Sequence, residues 1–415
     1  MRRISSSMTN NDIQYNMRLQ ESKLNKANNK MGSQERIQQL RDDPVAAGHL
    51  VRYKSYSTRL QTFEKNAQKI ADNYSVTEGY INQSLQIMQR VRELAVTSAH
   101  GTYSKEDLRN MSTEVDELLK ELLVNANATG PEGTSLFAGT RSNTTAFDIV
   151  EGAVPGSSDR LITNVIYNGN VQTANIEIDD GQYLEISHAG NQIFWAENQS
   201  IYSMRDATTY VVPEDSTISV DGKEIALTAG DNIYAIISKI NDSGAAVKAK
   251  LDPVTNGIAM VTTDSRQIWL EDLKGGNVLN QLGLVKDSSQ RPPNNLNDTA
   301  SVSGGSMFDT VIALRNAMLV GDNEKIGTRI LGSLDQAVSS LTNSLAESGA
   351  KYERAENNLA RVSNQILNVN GMIAREGDLD ITEAITDLKM LEYVQQATLS
   401  TAAKMYRNTL LDYIK

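Results

Sequence analysis

The sequence predicts an α+β chain in which long antiparallel coiled-coil rods from both termini carry β-rich domains inserted between them. Three observations predict it. Residues 53 to 95 form a ladder of alternating three- and four-residue steps: Tyr53, Tyr56, Leu60, Phe63, Ala67, Ile70, Tyr74, Thr77, Ile81, Ser84, Met88, Val91 and Ala95. That spacing keeps one stripe on one side of an α-helix, and only Thr77 and Ser84 depart from apolar character. A second ladder lies near the other end: Leu331, Leu334, Val338, Leu341, Leu345, Ser348, Tyr352, Ala355, Leu359, Val362, Ile366, Val369 and Ile373, with only Ser348 interrupting it. Each ladder corresponds to roughly 65 Å of helix at ~1.5 Å per residue. Neither stripe is stable in water alone, so the two are expected to face each other. Between them the hydrophobic period falls to two, which is the signature of strands.

The elements follow in order. A first helical pattern, Ile13, Met17, Gln20, Leu24, Ala27 and Met31, is too short to be stable unpartnered. Gly32 and Ser33 are expected to break it. Asp43 precedes Pro44 and is restricted by it, so Asp42 or Asp43 caps the next helix with Pro44 at its first position. The long rod then runs until His100-Gly101-Thr102. Ser104, with Asp107 three residues on, resembles a capping box for a helix with the stripe Leu108, Met111, Val115, Leu118, Leu122 and Ala126. Gly130-Pro131-Glu132-Gly133 closes this helical half.

The middle reads as strands. Ile176 and Ile178, the turn Asp179-Asp180-Gly181, then Leu184 and Ile186 predict a hairpin. Val165 and Tyr167 before Asn168-Gly169 predict another. Ile218 and Val220, Asp221-Gly222, then Ile225 and Leu227 predict a third. A short helix follows over Ile233, Ile236, Ile237 and Ile240, with later strands at Val247 to Leu251, Ile258 to Thr262 and Ile268 to Leu270. Residues 288–305 are rich in Ser, Pro, Asn and Gly and read as a linker. Helix resumes at Met307 and is expected to run through the second ladder to Gly377, after which Asp380 and Glu383 cap a last helix. The expected divisions are therefore 1–45, a terminal segment disordered in the monomer; 46–140, the N-terminal rod; 141–209, a β-rich domain; 210–287, a second β-rich unit; 288–305, a linker; 306–377, the C-terminal rod; and 378–415, a C-terminal helix.

Composition narrows the function. The 415 residues allow two or three domains. Aromatics at 5% and only 7 Pro suit long helices better than a large catalytic core. The chain has no Cys, which excludes disulfides and thiolate metal sites. Residues 141–305 hold 11 Lys/Arg against 21 Asp/Glu, whereas residues 1–60 hold 11 against 5, so the middle is an acidic solvated surface and the start is basic. No basic face carries stacking aromatics, so no nucleic-acid partner is expected. The opening residues lack an apolar run of signal-peptide type, and no run of ~18 apolar residues occurs, so no membrane insertion is expected.

His49, His100 and His188 share no helical turn, so no paired zinc ligands arise. No phosphate-binding Gly-Lys-Ser/Thr loop and no strand-to-helix dinucleotide pattern occurs. Asp252-Pro253-Val254-Thr255-Asn256-Gly257 lacks the alternating carboxylates and terminal Glu of a calcium loop and reads as a turn. Asp42 and Asp43, beside Arg36 and Arg41, suit capping and ion pairing in a packed joint far better than acid–base work. No enzyme activity, metal or cofactor is expected.

Several of these residues together resemble the flagellin superfamily. They are Arg3-Ile4-Ser5 at the start, Arg36-Ile37 with Arg41-Asp42-Asp43-Pro44-Val45-Ala46-Ala47, and Leu136-Phe137-Ala138-Gly139. Asp378-Leu379-Asp380, Glu383-Ala384, Leu388, Gln396-Ala397 and Leu410-Leu411-Asp412-Tyr413 are similar to that family's closing helix. Residues 217–251 resemble a β-rich insertion module of flagellar axial proteins. Pro44 after the Asp pair and the Phe-Ala-Gly sequence are closer to the hook–filament junction branch than to filament flagellins, which typically have Ala after the pair. The chain departs from the family where Gln34-Glu35 precede Arg36-Ile37 and Gly stands at 32.

The resemblance implies a structural component of the bacterial flagellum, exported unfolded by an uncleaved N-terminal signal. The implied partners are the first hook-associated protein, flagellin, neighbouring copies of the same chain and an export chaperone on the C-terminal helix. The residues expected to carry assembly are Ile13, Met17, Leu24, Leu60, Phe63, Ile70, Ile81, Leu359, Ile366, Leu388, Leu399 and Tyr406, with Arg41, Asp42, Asp43 and Pro44 as the joint. A minor filament flagellin is the nearest alternative. An exported adhesin with a ligand-binding β middle is a second, and an embedded zinc peptidase is disfavoured because no His-Glu-x-x-His occurs.

Overall fold

The computed structural model describes residues 6–411 except Lys274, with side chains from residue 11 to 404. In chain order the first helices are α1 (Ser6–Ser33), α2 (Pro44–Ala99) and α3 (Lys105–Ala126). Strands β1 (Phe147–Ala153), β2 (Arg160–Tyr167), β3 (Asn175–Asp179) and β4 (Gln182–Glu185) follow, then the short α4 (Gly190–Ile193) and β5 (Ser200–Ser203). Next come β6 (Ser216–Val220), β7 (Lys223–Leu227), α5 (Ile233–Asp242), β8 (Val247–Leu251), β9 (Ile258–Thr262), β10 (Leu270–Leu273), α6 (Val278–Gln281) and β11 (Ala300–Ser303). The chain closes with α7 (Met307–Val320), α8 (Asn323–Lys325), a π turn at Ile326–Ile330, α9 (Leu331–Gly377) and α10 (Ile381–Leu411). Two compact units divide these elements. One holds the described residues up to Lys65 and from Leu359 onward, and the other is Asn66–Asn358.

The ladders are heptads. On α2 the buried positions are Leu60, Ala67, Tyr74, Ile81, Met88 and Ala95, with Phe63, Ile70, Thr77, Ser84 and Val91 between them. On α9 they are Leu334, Leu341, Ser348, Ala355, Val362 and Val369. Each set repeats every seventh residue, the period that keeps a seam against a partner helix. In the first unit Leu60 and Phe63 pack with Val362 and Val369, flanked by Tyr53, Tyr56, Ile366 and Ile373. Ser57 Oγ meets Asn370 Oδ1 at 3.2 Å, as an antiparallel pair requires. In the second unit Ile81, Met88, Val91 and Ala95 share one core with Leu334, Ala337 and Leu341. The ladder's polar steps stay buried: Ser84 Oγ donates to Tyr80 O at 2.8 Å, which satisfies it within its own helix.

The second unit adds α3 and α7 to this core. Ser104 and Asp107 form the expected capping box on α3, and Ser306 with Asp309 forms one on α7. The expectation that helix continues from Met307 through the second ladder is corrected here. Gly321 caps α7 in the left-handed conformation (φ 79°) and Asp322 starts a new helix by accepting from Lys325 N. The break frees α7 to lie against α3 and β2, with Met307, Phe308, Val311, Leu314 and Met318 buried.

The β elements follow the period-two signals, with two differences. The β3–β4 hairpin turns at Gly181 (φ 69°), and β6–β7 turns at Asp221 and Gly222, both with positive φ (49° and 76°), as a two-residue hairpin favours. The strand before Asn168-Gly169 pairs backward, Phe147 opposite Tyr167, so that Asn168-Gly169 is an exit and not a hairpin turn. Residues 288–305 are not a bare linker. Asn295 is fully buried with its Nδ2 donating to Leu270 O at 3.0 Å, and β11 pairs with β5.

Strand pairing also crosses position 209/210, because β5 lies in the sheet β11-β5-β9-β8 beside the separate sheet β10-β6-β7. Ile201 and the apolar residues of β6 to β10 form a core of their own around α5. The chain enters and leaves this module at neighbouring points, since Trp195 bridges Ser306 and the amides of Ala196 and Glu197 donate to Gly305 O. Excising residues 198–304 and joining the ends with a short Gly-Ser turn should therefore leave a chain that unfolds cooperatively. Loss of a cooperative transition on excision would show that the module holds the helical core together.

Candidate assembly surface

The terminal helices build the site. Ile13, Met17, Gln20, Leu24, Ala27 and Met31 are all half-buried along one side of α1. That side packs on α10, whose inward stripe is Ala384, Leu388, Leu391, Val394, Thr398 and the buried Ala402. α10 starts where α1 ends, because Leu379 N donates to Gln34 O at 3.0 Å. The two helices therefore run antiparallel. Apolar residues also line the outer side of α10: Ile381, Ile385, Met390 (67% exposed), Tyr393 (74% exposed) and Leu399 (47% exposed). Tyr15 on α1 and Leu367 on α9 are exposed in the same unit. Exposed large apolar side chains gathered on one helix make it a candidate surface for another molecule to cover.

Most predicted stripe residues fall where the spacing put them. Leu60, Phe63, Ile70 and Ile81 are buried, and Ile13, Met17, Leu24, Leu359, Ile366 and Leu388 are half-buried. Leu399 departs from the expectation of a single stripe with Leu388 and Ala402. Eleven residues, about three turns, separate it from Leu388, so it keeps nearly the same azimuth, yet it is 47% exposed where Ala402 is buried. The side chain of Tyr406 lies outside the described residues, as do Arg3, Ile4, Ser5 and Tyr413.

The joint between α1 and α2 is held by side chains on backbone. α1 runs past Gly32 to Ser33, and Gln34 takes the left-handed conformation (φ 58°) without glycine's freedom. Asp43 Oδ1 accepts Ala46 N at 3.1 Å and Pro44 opens α2, the predicted cap. Asp42 does different work. It accepts Lys26 Nζ at 2.7 Å and the amides of Gln39 and Gln38, and these contacts, Lys26 foremost, hold its carboxyl below the usual range against the opposing effect of desolvation. Arg41 is exposed. What the sequence reading missed is the other half of the joint. Glu35 bridges Asp378, and Arg36 N donates to Gly377 O at 2.7 Å. The Arg36 guanidinium donates to Glu376 O from Nε (3.2 Å) and Nη2 (2.7 Å). The signal available was the presence of a helix break at each end of the chain.

The second unit holds its ionisable groups in pairs. Lys351 Nζ lies 2.9 Å from Glu185 and 2.7 Å from Glu347, at the edge of a polar cavity of about 620 Å³ that Tyr74 and His188 also line. His188 packs edge-on against Tyr74 with ring centroids 4.7 Å apart, and its Nε2 faces Asn73 Oδ1 at 3.1 Å. Burial, with the Lys351 charge adding to it, pushes the His188 imidazole down to about 4 from an ordinary 6.5. The ring is thus neutral when folded and takes a proton below pH 6.5 only when unfolded. Stability present at pH 7 is lost as pH falls from about 6.5 toward 4, by up to about 3 kcal/mol. A His188→Gln chain should show a flatter fall in urea midpoint between pH 7 and pH 4.5 than the parent. Among the described residues no group of three His, Cys, Asp or Glu side chains is placed to hold a metal, and no helix is long and apolar enough to cross a membrane.

The fold and this surface can be set beside known proteins. The family model described as the bacterial flagellin N-terminal helical region matches residues 4–142. Flagellin A of Vibrio anguillarum is 24% identical over 384 residues, covering 92% of this chain and 90% of that protein. Polar flagellin A of Vibrio parahaemolyticus is 24% identical over 379 residues, covering 91% and 90%. Among solved structures, the flagellar hook-associated protein-3 of Legionella pneumophila is 16% identical, covers 78% of this chain and 97% of its own, and gives a TM-score of 0.47. A putative flagellar hook-associated protein from Vibrio parahaemolyticus is 13% identical, covers 81% and 100%, and gives 0.48. Residues 4–142 thus match the flagellin N-terminal family model, and the chain is similar to flagellins along nearly its whole length.

Proposed function

We propose that this chain is a structural subunit of the bacterial flagellum and that it serves as the adaptor joining hook to filament. The observation that carries the structural role is the antiparallel pairing of α1 with α10, which leaves apolar side chains on the outer side of α10. A surface of this kind is completed by a neighbour. Covered by a different face of the next copy, that outer side would make a head-to-tail contact, which propagates around an axis without closing on itself as a dimer. Helices of this kind draw most of their stability from packing an apolar face, so their full ordering accompanies assembly.

The adaptor assignment is supported by Pro44 after the Asp pair and by the Phe137-Ala138-Gly139 sequence. Phe137 is fully buried edge-on against Phe194 (5.1 Å between centroids), and Gly139 (φ 65°) donates to His188 O at 2.9 Å. That segment seats the β elements on the helical core. In this reading the first hook-associated protein and flagellin take opposite ends of the helical surface, and copies of the chain lie side by side. An export chaperone shields α10 before secretion through the flagellar export apparatus, and the acidic β elements face solvent. The role is mechanical and not catalytic.

Deleting the gene tests it. Cells should keep hooks, lose filaments and release flagellin monomers into the medium, and antibody should label the hook–filament boundary. A minor filament flagellin is the second reading, favoured by the 24% identity to filament flagellins over about nine-tenths of both chains. Filaments that persist largely intact after deletion would establish it instead.

A further inference from the structure

We propose that Arg36 is a positioning residue, a clasp that closes the C-terminus of α9 with the N-terminal joint and so fixes the direction in which α1 and α10 leave together. The inference rests on the reading of α1 and α10 as the assembly helices. A helix ends with carbonyls that have no partner in their own helix, and a cation there also meets the negative end of the helix dipole. At the end of α9 those carbonyls are taken by a residue 340 positions away in sequence. The Arg36 side chain donates twice to Glu376 O, and its backbone amide donates to Gly377 O.

The same three-residue segment reaches the start of α10. Gln34 O accepts Leu379 N, and Glu35 forms the antiparallel bridge to Asp378. Residues 34–36 therefore lie across the break between α9 and α10 as a short added strand. Their own backbone is set by the left-handed Gln34. Asp43 Oδ2 at 3.6 Å and Glu376 Oε2 at 3.8 Å flank the guanidinium and hold it over the break. A Cβ on Gly377 would lie 3.0 Å from Leu50 Cδ2 and the leucine would have to give way, so α2 approaches the end of α9 closely. The geometry makes each terminal break the template for the other. A chain lacking this contact would still bury its heptad stripes, and would present α1 and α10 in no fixed register.

Hydrogen exchange on the full-length chain tests the clasp without reference to function. In Arg36→Ala the Leu379 amide and the first turn of α10 should exchange at least roughly tenfold faster, the loss expected for a hydrogen bond involving a charged donor. Amides of residues 56–63, which sit on the Leu60–Phe63 seam, should keep the parent's rates. Arg36→Lys, which retains the charge and one donor, should fall between the two. Unchanged Leu379 protection in Arg36→Ala overturns the proposal. So does equal acceleration at residues 56–63, which would mean that the arginine holds the whole unit and not the break. Complementation of a deletion strain supplies the functional arm. Arg36→Ala should be secreted at the parent's level yet attach filaments at roughly a tenth of its frequency, and attachment at the parent's frequency would remove the positioning role. If the parent chain itself fails to restore filaments, the flagellar reading fails while the exchange result stands.

Discussion

Asp116→Ala is expected to destabilise the second unit by about 3–5 kcal/mol, the cost of leaving a buried charge without its partner. Arg315 lies on α7 in an otherwise apolar run and is 1% exposed. Its Nη1 donates to Asp116 Oδ1 at 2.6 Å and its Nη2 to Ile162 O at 2.7 Å, so one guanidinium ties α7 to α3 and to β2. Removing the carboxylate leaves the cation in the core with only Ile162 O and Asn316 Oδ1 as acceptors. The reverse change is milder. In Arg315→Met the carboxylate keeps Lys120 at 3.0 Å, near the edge of the core, and the methionine fills much of the vacated volume. The double variant Asp116→Leu with Arg315→Met should recover most of the parent's stability, because a packed apolar pair replaces a buried ionic one at little net cost. Both tryptophans, Trp195 and Trp269, lie in this unit, so fluorescence during urea unfolding reads it directly. A midpoint for Asp116→Ala equal to the parent's would show that the pair is not coupled as its distances indicate.

The second large effect concerns assembly. Replacing Leu388 and Ala402 together by Asp puts two carboxylates on the side of α10 that packs against α1, where Ala402 is buried and Leu388 half-buried. Burying an unpaired carboxylate costs several kcal/mol, and an isolated pair of short helices has little to spare. The chain should fold normally in its second unit, as tryptophan fluorescence would show, while cells carrying it should attach no more filaments than the deletion strain. Leu399→Asp makes a separate test, because that side chain is 47% exposed. It should spare the α1–α10 pairing, as seen by exchange, and still reduce attachment if neighbours cover that side. Attachment at the parent's frequency by the double variant would show that α10 is not part of the assembly surface.

The long helices were legible because a heptad is a local code. Thirteen residues from Tyr53 to Ala95 and thirteen from Leu331 to Ile373 repeat the same steps, and the burial of Leu60, Ile70, Ile81, Leu334 and Val362 follows from side-chain period alone. The caps at Asp43, Ser104 and Asp380 and the turns at Asp179-Asp180-Gly181 and Asp221-Gly222 were legible for the same reason, since each is settled within about four residues. The candidate assembly surface was legible in part. Ile13, Met17, Leu24 and Leu388 came from spacing, whereas the exposure of Leu399 depends on where α1 sits.

The sequence by itself determined where the long helices and most of the hairpin strands lie and which side of each long helix is apolar. Only the tertiary structure decided which distant residues complete one another. Arg36 closes α9 across 340 residues, Arg315 finds Asp116 across 199, β11 pairs with β5 across a stretch that reads as a linker, and β2 pairs backward with β1. The reason is physical. Periodicity and capping are fixed by the geometry of one turn of backbone, whereas a buried guanidinium or an added strand satisfies its hydrogen bonds with whatever group the folded chain brings near, and sequence separation carries no record of that distance.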